Sequence, residues 1–151
     1  MLISYDTVYS RFYSLVTDYV FAELPDQTRE ALFLEWLKSV YRYPDIIDFF
    51  KEIKFDDGLE QVEYTLEYPR DEEADNGFVK EILALCMSIQ WYKRQVDSVI
   101  NTAQMIGGKE EKTLVNNHKY SIERLSQLQI ELKKLIRDYG YLYNSYVEGY
   151  F

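Results

Sequence analysis

The strongest helical pattern in the chain lies in residues 78–91, FVKEILALCMSIQW. Its apolar residues recur every three or four positions, which is the period of an α-helix. They form two neighbouring stripes, Phe78, Ile82, Leu85 and Ile89 on the first and Leu83, Cys86, Met87 and Trp91 on the second. A helix that is apolar on two faces must be covered on both, so we expect it at the centre of the core.

The same period continues and predicts one long helix over 76–104. Asp75 or Asn76 can cap its N-terminus, and the pair Gly107-Gly108 ends it. Such a short connection places the following helix antiparallel to this one. Apolar residues at helical spacing predict that last helix over 112–140, and they are Ile122, Leu125, Leu128, Leu132, Leu135, Ile136 and Tyr139.

Two further helices precede the central one. Ser4 can cap a helix over 4–18. Pro25 opens a second helix over 26–42, which Pro44 stops. The aromatic residues that we expect in the core are Phe12, Trp36 and Trp91.

Between the second and third helices the period changes from helical to alternating. Apolar and polar residues alternate on both sides of Asp57-Gly58, a dipeptide typical of tight hairpin turns. The sequence therefore predicts a β-hairpin over 52–68 with an acidic outer face. The predicted fold class is mainly α, a helical bundle of about four main helices with an inserted β-hairpin, forming a single domain over 1–151.

Negative charge is concentrated in one segment. The chain carries 26 acidic and 17 basic side chains, a net charge of −9 at pH 7. Twelve of the acids and only three of the bases lie in residues 45–75. Such a block is either a solvated surface or a surface that steers a basic partner. Because no basic stripe is present to neutralise phosphates, we do not expect nucleic-acid binding.

The sequence predicts neither a membrane protein nor a secreted one. No apolar run approaches the roughly 18 residues of a membrane-spanning helix, and the first residues lack the basic and apolar blocks of a secretory signal. The single cysteine cannot form an internal disulfide. We therefore expect the chain to fold in a reducing cytosol.

Residues suited to catalysis are few. His118 is the only histidine, and Cys86 falls in the middle of the central helix. Gly107-Gly108-Lys109 lacks the spacing of a phosphate-binding loop, and the carboxylates of residues 71–75 lack the spacing of a calcium loop. We expect no catalytic, cofactor-binding or metal site and no enzyme, with a Cys86–His118 pair as the one catalytic alternative.

Tyrosine is unusually frequent, with 15 Tyr against 8 Phe and 2 Trp. A buried Tyr needs a hydrogen-bond partner for its hydroxyl group, so Phe fills a core more easily. Tyr is enriched at protein interfaces, and its excess here therefore indicates contact with another protein. A Tyr-rich tail over 141–151 follows the apparent end of the last helix at Gly140. We expect its aromatic side chains to contact another subunit or protein, and they are Tyr141, Tyr143, Tyr146, Tyr150 and Phe151.

Over most of its length the chain resembles the small head–tail connector, or adaptor, proteins of tailed bacteriophages. The resemblance lies in the joint order of short motifs, none of which is specific alone. They are Ile3-Ser4-Tyr5-x-x-Val8-Tyr9-x-Arg11-Phe12, Thr17-Asp18-Tyr19, Glu81-Ile82-Leu83-Ala84-Leu85-x-Met87 with Trp91, Asn101-Thr102-x-Gln104, Asn117-His118, and Ile136-Arg137-Asp138-Tyr139-x-Tyr141.

This resemblance implies a structural protein of the virion neck, made in the cytoplasm of the host bacterium. Its subunits would form a homo-oligomeric ring, expected to be dodecameric, that binds the portal protein and the next neck or tail protein. The ring would extend the channel for genome ejection, through which DNA passes without sequence-specific binding. An acidic lining would repel that DNA, and the candidates for it are Asp56, Asp57, Glu60, Glu63 and Glu67.

Two classes of alternative remain beside the enzyme. One is another neck or tail-completion protein. The other is a non-viral, acidic helical interaction module that mimics DNA and occupies the nucleic-acid site of a basic protein. Residues 45–75 suit the second alternative, and a stable monomer in solution would favour it.

Overall fold

The computed structural model of the chain describes residues 1–16 and 25–150, with side chains for all of these except 117 and 140–150. Six α-helices, one 3-10 helix and three strands lie within these ranges. In chain order they are β1 (Leu2–Ser4), α1 (Tyr5–Leu15), α2 (Asp26–Leu37), a 3-10 helix (Lys38–Arg42), α3 (Pro44–Ile47), β2 (Phe50–Asp56), β3 (Gln61–Leu66), α4 (Glu72–Ile106), α5 (Gly108–Asn117) and α6 (Lys119–Tyr150). A mainly α fold with an inserted β-hairpin is thus confirmed.

The helix α4 lies at the centre of the core, as its two apolar stripes predict. Every side chain from Ile82 to Tyr92 is buried. Helices α1, α2 and α6 all pack against α4, which explains why no face of this stretch is polar.

The start of α4 differs from the prediction. Asp71 is the N-cap, and its carboxylate accepts a hydrogen bond of 2.8 Å from the backbone N–H of Ala74. Asp75 is buried inside the first turns, where its carboxylate accepts from the backbone N–H of Arg70. The prediction of Asp75 or Asn76 as the cap was therefore wrong, because an aspartate one turn earlier was already in position.

The two glycines end α4 as expected. Gly107 and Gly108 have φ values of 73° and 66°, in the left-handed region that favours glycine. The chain then turns into α5.

The first two helices form close to their predicted positions. The Ser4 hydroxyl accepts a hydrogen bond of 3.2 Å from the backbone N–H of Thr7 and caps α1, as predicted. α1 ends at Leu15 with Val16 in an extended conformation, so it is shorter than the predicted 4–18, although residues 17 and 18 lie outside the described residues. Helix α2 and the 3-10 helix together span the predicted 26–42.

Large aromatic rings join these helices to α4, and the prediction that they are buried is confirmed. Phe12, Trp36 and Trp91 are all buried. The ring centroids of Phe12 and Trp36 lie 6.1 Å apart, and those of Trp36 and Trp91 lie 5.7 Å apart. A continuous aromatic contact therefore runs from α1 through α2 to α4.

The predicted hairpin has a third strand beside it. The antiparallel sheet has the order β1-β3-β2, so the N-terminal residues 2–4 pair with β3. The hairpin connection is the four-residue loop 57–60 rather than a two-residue turn, since Asp56 pairs with Gln61. Val62, Tyr64 and Leu66 face the core, and the residues that alternate with them are exposed or half-buried.

The C-terminal helix differs most from its prediction. Instead of one helix over 112–140, there are two, α5 and α6, separated at His118. Asn116, Asn117 and His118 are weak helix formers, which suits a break there. Gly140 does not end α6, because a single glycine within a helix costs only about 1 kcal/mol.

In the described part of the chain, no helix combines the length and the apolar character that crossing a membrane requires.

Candidate functional site

The structure divides the five candidate channel acids into two groups. All five are exposed. Asp56 and Glu63 lie on the outer face of the sheet and Glu67 just beyond it, while Asp57 and Glu60 lie in the hairpin loop. With the neighbouring Glu52, the first group forms what we call the acidic face: Glu52, Asp56, Glu63 and Glu67.

One lysine lies within the acidic face. Lys54 pairs across the strands with Glu63, and its Nζ atom lies 2.7 Å from a carboxylate oxygen of Glu52. The hydrogen bond to Glu52 raises the pKa of Lys54 above its ordinary value. Because the pair is exposed, the contact is screened by solvent, and the face keeps a net negative charge.

Asp57 has a structural role that its position in the sequence does not reveal. Lys38 donates to one of its carboxylate oxygens at 2.7 Å, and the hydroxyl group of Tyr5 donates to the other at 2.6 Å. These hydrogen bonds, that from Lys38 first, hold the pKa of Asp57 below its ordinary value. Asp57 therefore joins the hairpin loop to α1 and to the 3-10 helix.

A second surface lies at the far end of α4. We define the helical arm as residues 93–127, which comprise the end of α4, α5 and the start of α6. Its buried apolar residues, Val96, Val99 and Ala103, lie outside the main core cluster. Large hydrophobic residues are exposed on or next to the arm, and they are Ile100, Met105, Ile106, Tyr120 and Ile130.

The two surfaces carry different charge. Residues 1–79 contain eighteen acids and seven bases, whereas residues 80–139 contain seven acids and ten bases. The first range includes the sheet and the acidic start of α4, and the second includes the rest of α4, α5 and the described side chains of α6. Within the helical arm itself there are six bases and four acids, whereas the acidic face has four acids and one lysine, so the net charges of the two surfaces are opposite in sign.

The Cys86–His118 pair does not form. Cys86 is fully buried among the core residues of α4, and burial raises the pKa of its thiol to about 12. His118 is the C-cap of α5. Even if α5 ran straight back along α4, its 10 residues would cover about 15 Å, against about 30 Å from the end of α4 to Cys86.

A cleft beside α1 was missed by the sequence analysis. It has a volume of about 290 Å³ and lies between α1, α2 and the hairpin loop. Tyrosines at positions 5, 9 and 13 follow one another at intervals of one helical turn, and this spacing is the signal that predicts such a row. The residues that line the cleft are Tyr5, Asp6, Tyr9, Tyr13, Arg29, Glu30, Phe33, Leu34, Asp57 and Glu60.

The aromatic tail is only partly described. The backbone of residues 141–150 continues α6, so the prediction that Tyr141, Tyr143, Tyr146 and Tyr150 lie past the helix end was wrong. Their side chains, and Phe151 altogether, lie outside the described residues. Contact of this tail with a partner remains a prediction.

Comparisons with known proteins found no match to a protein-family model, to a curated protein or to a solved structure. Among the described residues, no group of three or more His, Cys, Asp or Glu side chains is arranged to hold a metal ion.

Proposed function

We propose that this protein is a structural subunit of the neck of a tailed bacteriophage, where twelve copies form a ring between the capsid portal and the tail. The observation that carries the proposal is the separation of charge along the molecule. The acidic face lies at one end, and the helical arm, with its excess of bases and exposed apolar residues, lies at the other.

Two surfaces of opposite charge at different places on one subunit suit contacts between identical copies in a ring. When two different surfaces of one subunit bind each other, the contact repeats from copy to copy and closes into a ring if the rotation allows it. In our proposal the arm of one subunit contacts the acidic face of the next. Met105 and Ile106, which are exposed in the isolated chain, would be covered in such a contact.

The acids that remain exposed in the ring would serve the channel. Packaged DNA is a polyanion, so a negatively charged lining repels it and prevents it from sticking to the wall. Asp57 contributes little to such a lining because Lys38 neutralises it. This role requires no catalytic residue and no cofactor.

Charge reversal on each surface tests the contact between subunits. The arm variant carries Arg94→Glu and Lys112→Glu, and the face variant carries Glu63→Lys and Glu67→Lys, all four positions being exposed. Each variant alone should stay monomeric, because its two surfaces now have the same charge. A mixture of the two should assemble again, since each surface then meets its opposite.

Native mass spectrometry measures the stoichiometry, and electron cryomicroscopy shows whether the assembly is a closed ring. We expect twelve copies for the wild type and alternating copies for the mixture, with less assembly at high salt. A wild type that stays monomeric at every concentration, or variants that assemble as well as the wild type, would contradict the proposal.

The acidic face also favours a second candidate, a protein that mimics DNA. A monomer that binds a basic nucleic-acid-binding protein through this face, and that releases it when DNA is added, would support that function instead. The two variants separate the candidates, because a mimic loses its binding in the face variant and keeps it in the arm variant, whereas a ring subunit fails to assemble in either variant alone.

A further inference from the structure

The cleft beside α1, which we call the Tyr cleft, combines aromatic walls with a negative potential. The ring centroids of Tyr9 and Phe33 lie 5.3 Å apart, and those of Tyr5 and Tyr9 lie 6.1 Å apart. Tyr13 continues the row, with its ring centroid 6.0 Å from that of Phe33. One side of the cleft is therefore a nearly continuous aromatic surface.

Carboxylates surround this aromatic surface. Among the described lining residues, Asp6, Glu30, Asp57 and Glu60 are acidic and Arg29 is the one base. Arg29 forms an ion pair of 2.7 Å with Asp26, and Asp57 is neutralised by Lys38. Burial raises the pKa of the Tyr9 hydroxyl group, and the charges of Glu60, Asp57 and Asp6 raise it further. The carboxylates of Asp6, Glu30 and Glu60, which are not paired with Lys38, give the cleft its negative potential.

The loop that supplies Glu60 is firmly attached to α1. The backbone N–H of Tyr5 donates to the carbonyl oxygen of Glu60 at 2.9 Å, and Asp57 accepts from the Tyr5 hydroxyl group. Glu60 has a φ of 52° and is held in the left-handed region by this arrangement. The acidic side and the aromatic side of the cleft are thus positioned relative to each other before any ligand arrives.

We propose that the Tyr cleft is a binding site for one arginine side chain of a partner protein. A guanidinium group stacks on aromatic faces through cation–π attraction and forms paired hydrogen bonds with carboxylates. The cleft offers both kinds of contact, with Tyr9 as the aromatic face and Glu60 and Asp6 as the carboxylates. This inference does not depend on the ring, because it concerns a separate site.

The dimensions of the cleft favour a side chain over a larger ligand. Its volume of about 290 Å³ is at the lower limit of pockets that enclose a drug-sized molecule, which run from about 300 to 1,000 Å³. A single long side chain can enter such a space while its backbone stays outside. Lysine fits less well, because its ammonium group is a strongly hydrated point charge that cannot stack.

The test uses a short peptide with one arginine and the same peptide with citrulline, which keeps the shape and removes the charge. Binding is followed by NMR through the ring resonances of the α1 tyrosines. We expect the arginine peptide to shift the Tyr9 ring resonances, with a dissociation constant in the millimolar range or tighter. The citrulline and lysine peptides should bind at least about twofold more weakly.

Two variants and a matched control locate the site. Glu60→Gln removes an exposed charge at the cleft, and Tyr9→Leu removes the aromatic face; each should weaken binding of the arginine peptide by roughly twofold to thirtyfold. Glu63→Gln makes the same change of charge on the acidic face and should leave binding unchanged. Since Glu60 is exposed, its variant should remain folded even if Tyr9→Leu does not.

Three results would overturn the proposal. The first is equal binding of the arginine and citrulline peptides. The second is an equal loss of binding in the Glu60→Gln and Glu63→Gln proteins, which would show general attraction to an acidic molecule. The third is the absence of any shift of the tyrosine ring resonances at millimolar peptide. Equal binding of the lysine peptide would overturn the preference for a guanidinium group.

Discussion

The two halves of α4 have the same secondary structure and very different surroundings. Ile82 is fully buried, whereas Ile100, eighteen residues or five helical turns further along the same side, is 39% exposed. Helices α1, α2 and α6 all pack against α4, and the core cluster that they form includes Ile82 but not Ile100. Apolar residues at helical spacing thus predict a helix, but the neighbouring elements decide whether its apolar face is buried in the core or stays exposed to a partner.

Replacing each of these two isoleucines by alanine should change the stability of the chain by very different amounts. Ile82→Ala should lower the free energy of unfolding by about 2–5 kcal/mol, because it removes buried apolar surface and leaves a cavity. Ile100→Ala makes the same chemical change on the same helix and should cost about 1 kcal/mol or less. Urea denaturation of both variants measures the difference. Equal losses would mean that the arm belongs to the core.

The buried half of α4 should also make the stability of the chain depend on pH in alkaline solution, through Cys86. The pKa of the Cys86 thiol is raised by burial from 9.0 to about 12. Below pH 9 both the folded and the unfolded chain keep this proton, so stability is unaffected. Above pH 9 the unfolded chain loses the proton while the folded chain keeps it, so stability falls by about 1.4 kcal/mol per pH unit.

Denaturation between pH 8 and 10 checks this expectation against Cys86→Ala. The variant lacks the group that titrates, so its stability should fall less steeply over this interval. Burial also raises the pKa of Tyr5, Tyr9 and Tyr64, which add to the loss at higher pH in both proteins. Identical slopes for the two proteins would show that Cys86 is less buried than the structure indicates.

The helices were predicted well from the sequence where their signals are local. Helical period, the Ser4 cap and the Gly107-Gly108 turn each depend on residues close together in the chain, and all three are confirmed. The pairing of residues 2–4 with β3 could not be predicted in the same way. It joins segments about sixty residues apart, and three residues are too few to show an alternating period.

The candidate site was harder to predict for the same reason. The sequence predicts a strong negative charge in residues 45–75. Which of these acids lie on the outer face and which line the Tyr cleft depends on contacts with residues far away in the chain. Asp57 is neutralised by Lys38, and Glu60 is held against Tyr5 by a backbone hydrogen bond. Charge is a property of the sequence, whereas what each charge contacts is a property of the fold.

Breaking an ion pair in the core half of the molecule or in the arm should change the stability less than Ile82→Ala does. Arg11 donates two hydrogen bonds to the carboxylate of Glu81, at 2.7 and 2.9 Å, and joins α1 to the first half of α4. Glu81→Gln should cost about 1 kcal/mol or less, since both side chains are roughly one-third exposed and solvent screens the pair. The loss should shrink at high salt.

The matched control for this ion pair lies in the arm. Glu123→Gln breaks an i,i+4 contact of 3.7 Å with Lys119, in which both side chains are well exposed. Its effect on thermal stability should be close to zero. If Glu123→Gln destabilised the chain as much as Glu81→Gln, the ion pair in the arm would stabilise the fold. The charges of that pair would then not be available to contact a partner.

The smallest effect on stability is expected from deleting residues 142–151. The described part of α6 packs on the core through apolar residues between positions 125 and 139, and the ring of Tyr139 stacks on that of Phe78 with centroids 3.6 Å apart. All of these residues precede the deletion, so the thermal midpoint of the isolated chain should stay nearly unchanged. The deletion removes Tyr143, Tyr146, Tyr150 and Phe151, large amphipathic rings of the kind enriched at interfaces.

In our proposal these rings bind the portal or a neighbouring subunit, so the shortened protein should fail to attach to portal-bearing capsids. Thermal denaturation and co-sedimentation with such capsids measure the two properties separately. Unfolding of the shortened chain would assign the tail to the core of its own subunit. A folded chain that still co-sediments would place the docking surface elsewhere. The charge-reversed arm and face variants, tested in the same sedimentation assay, would then show which of those two surfaces binds the capsid.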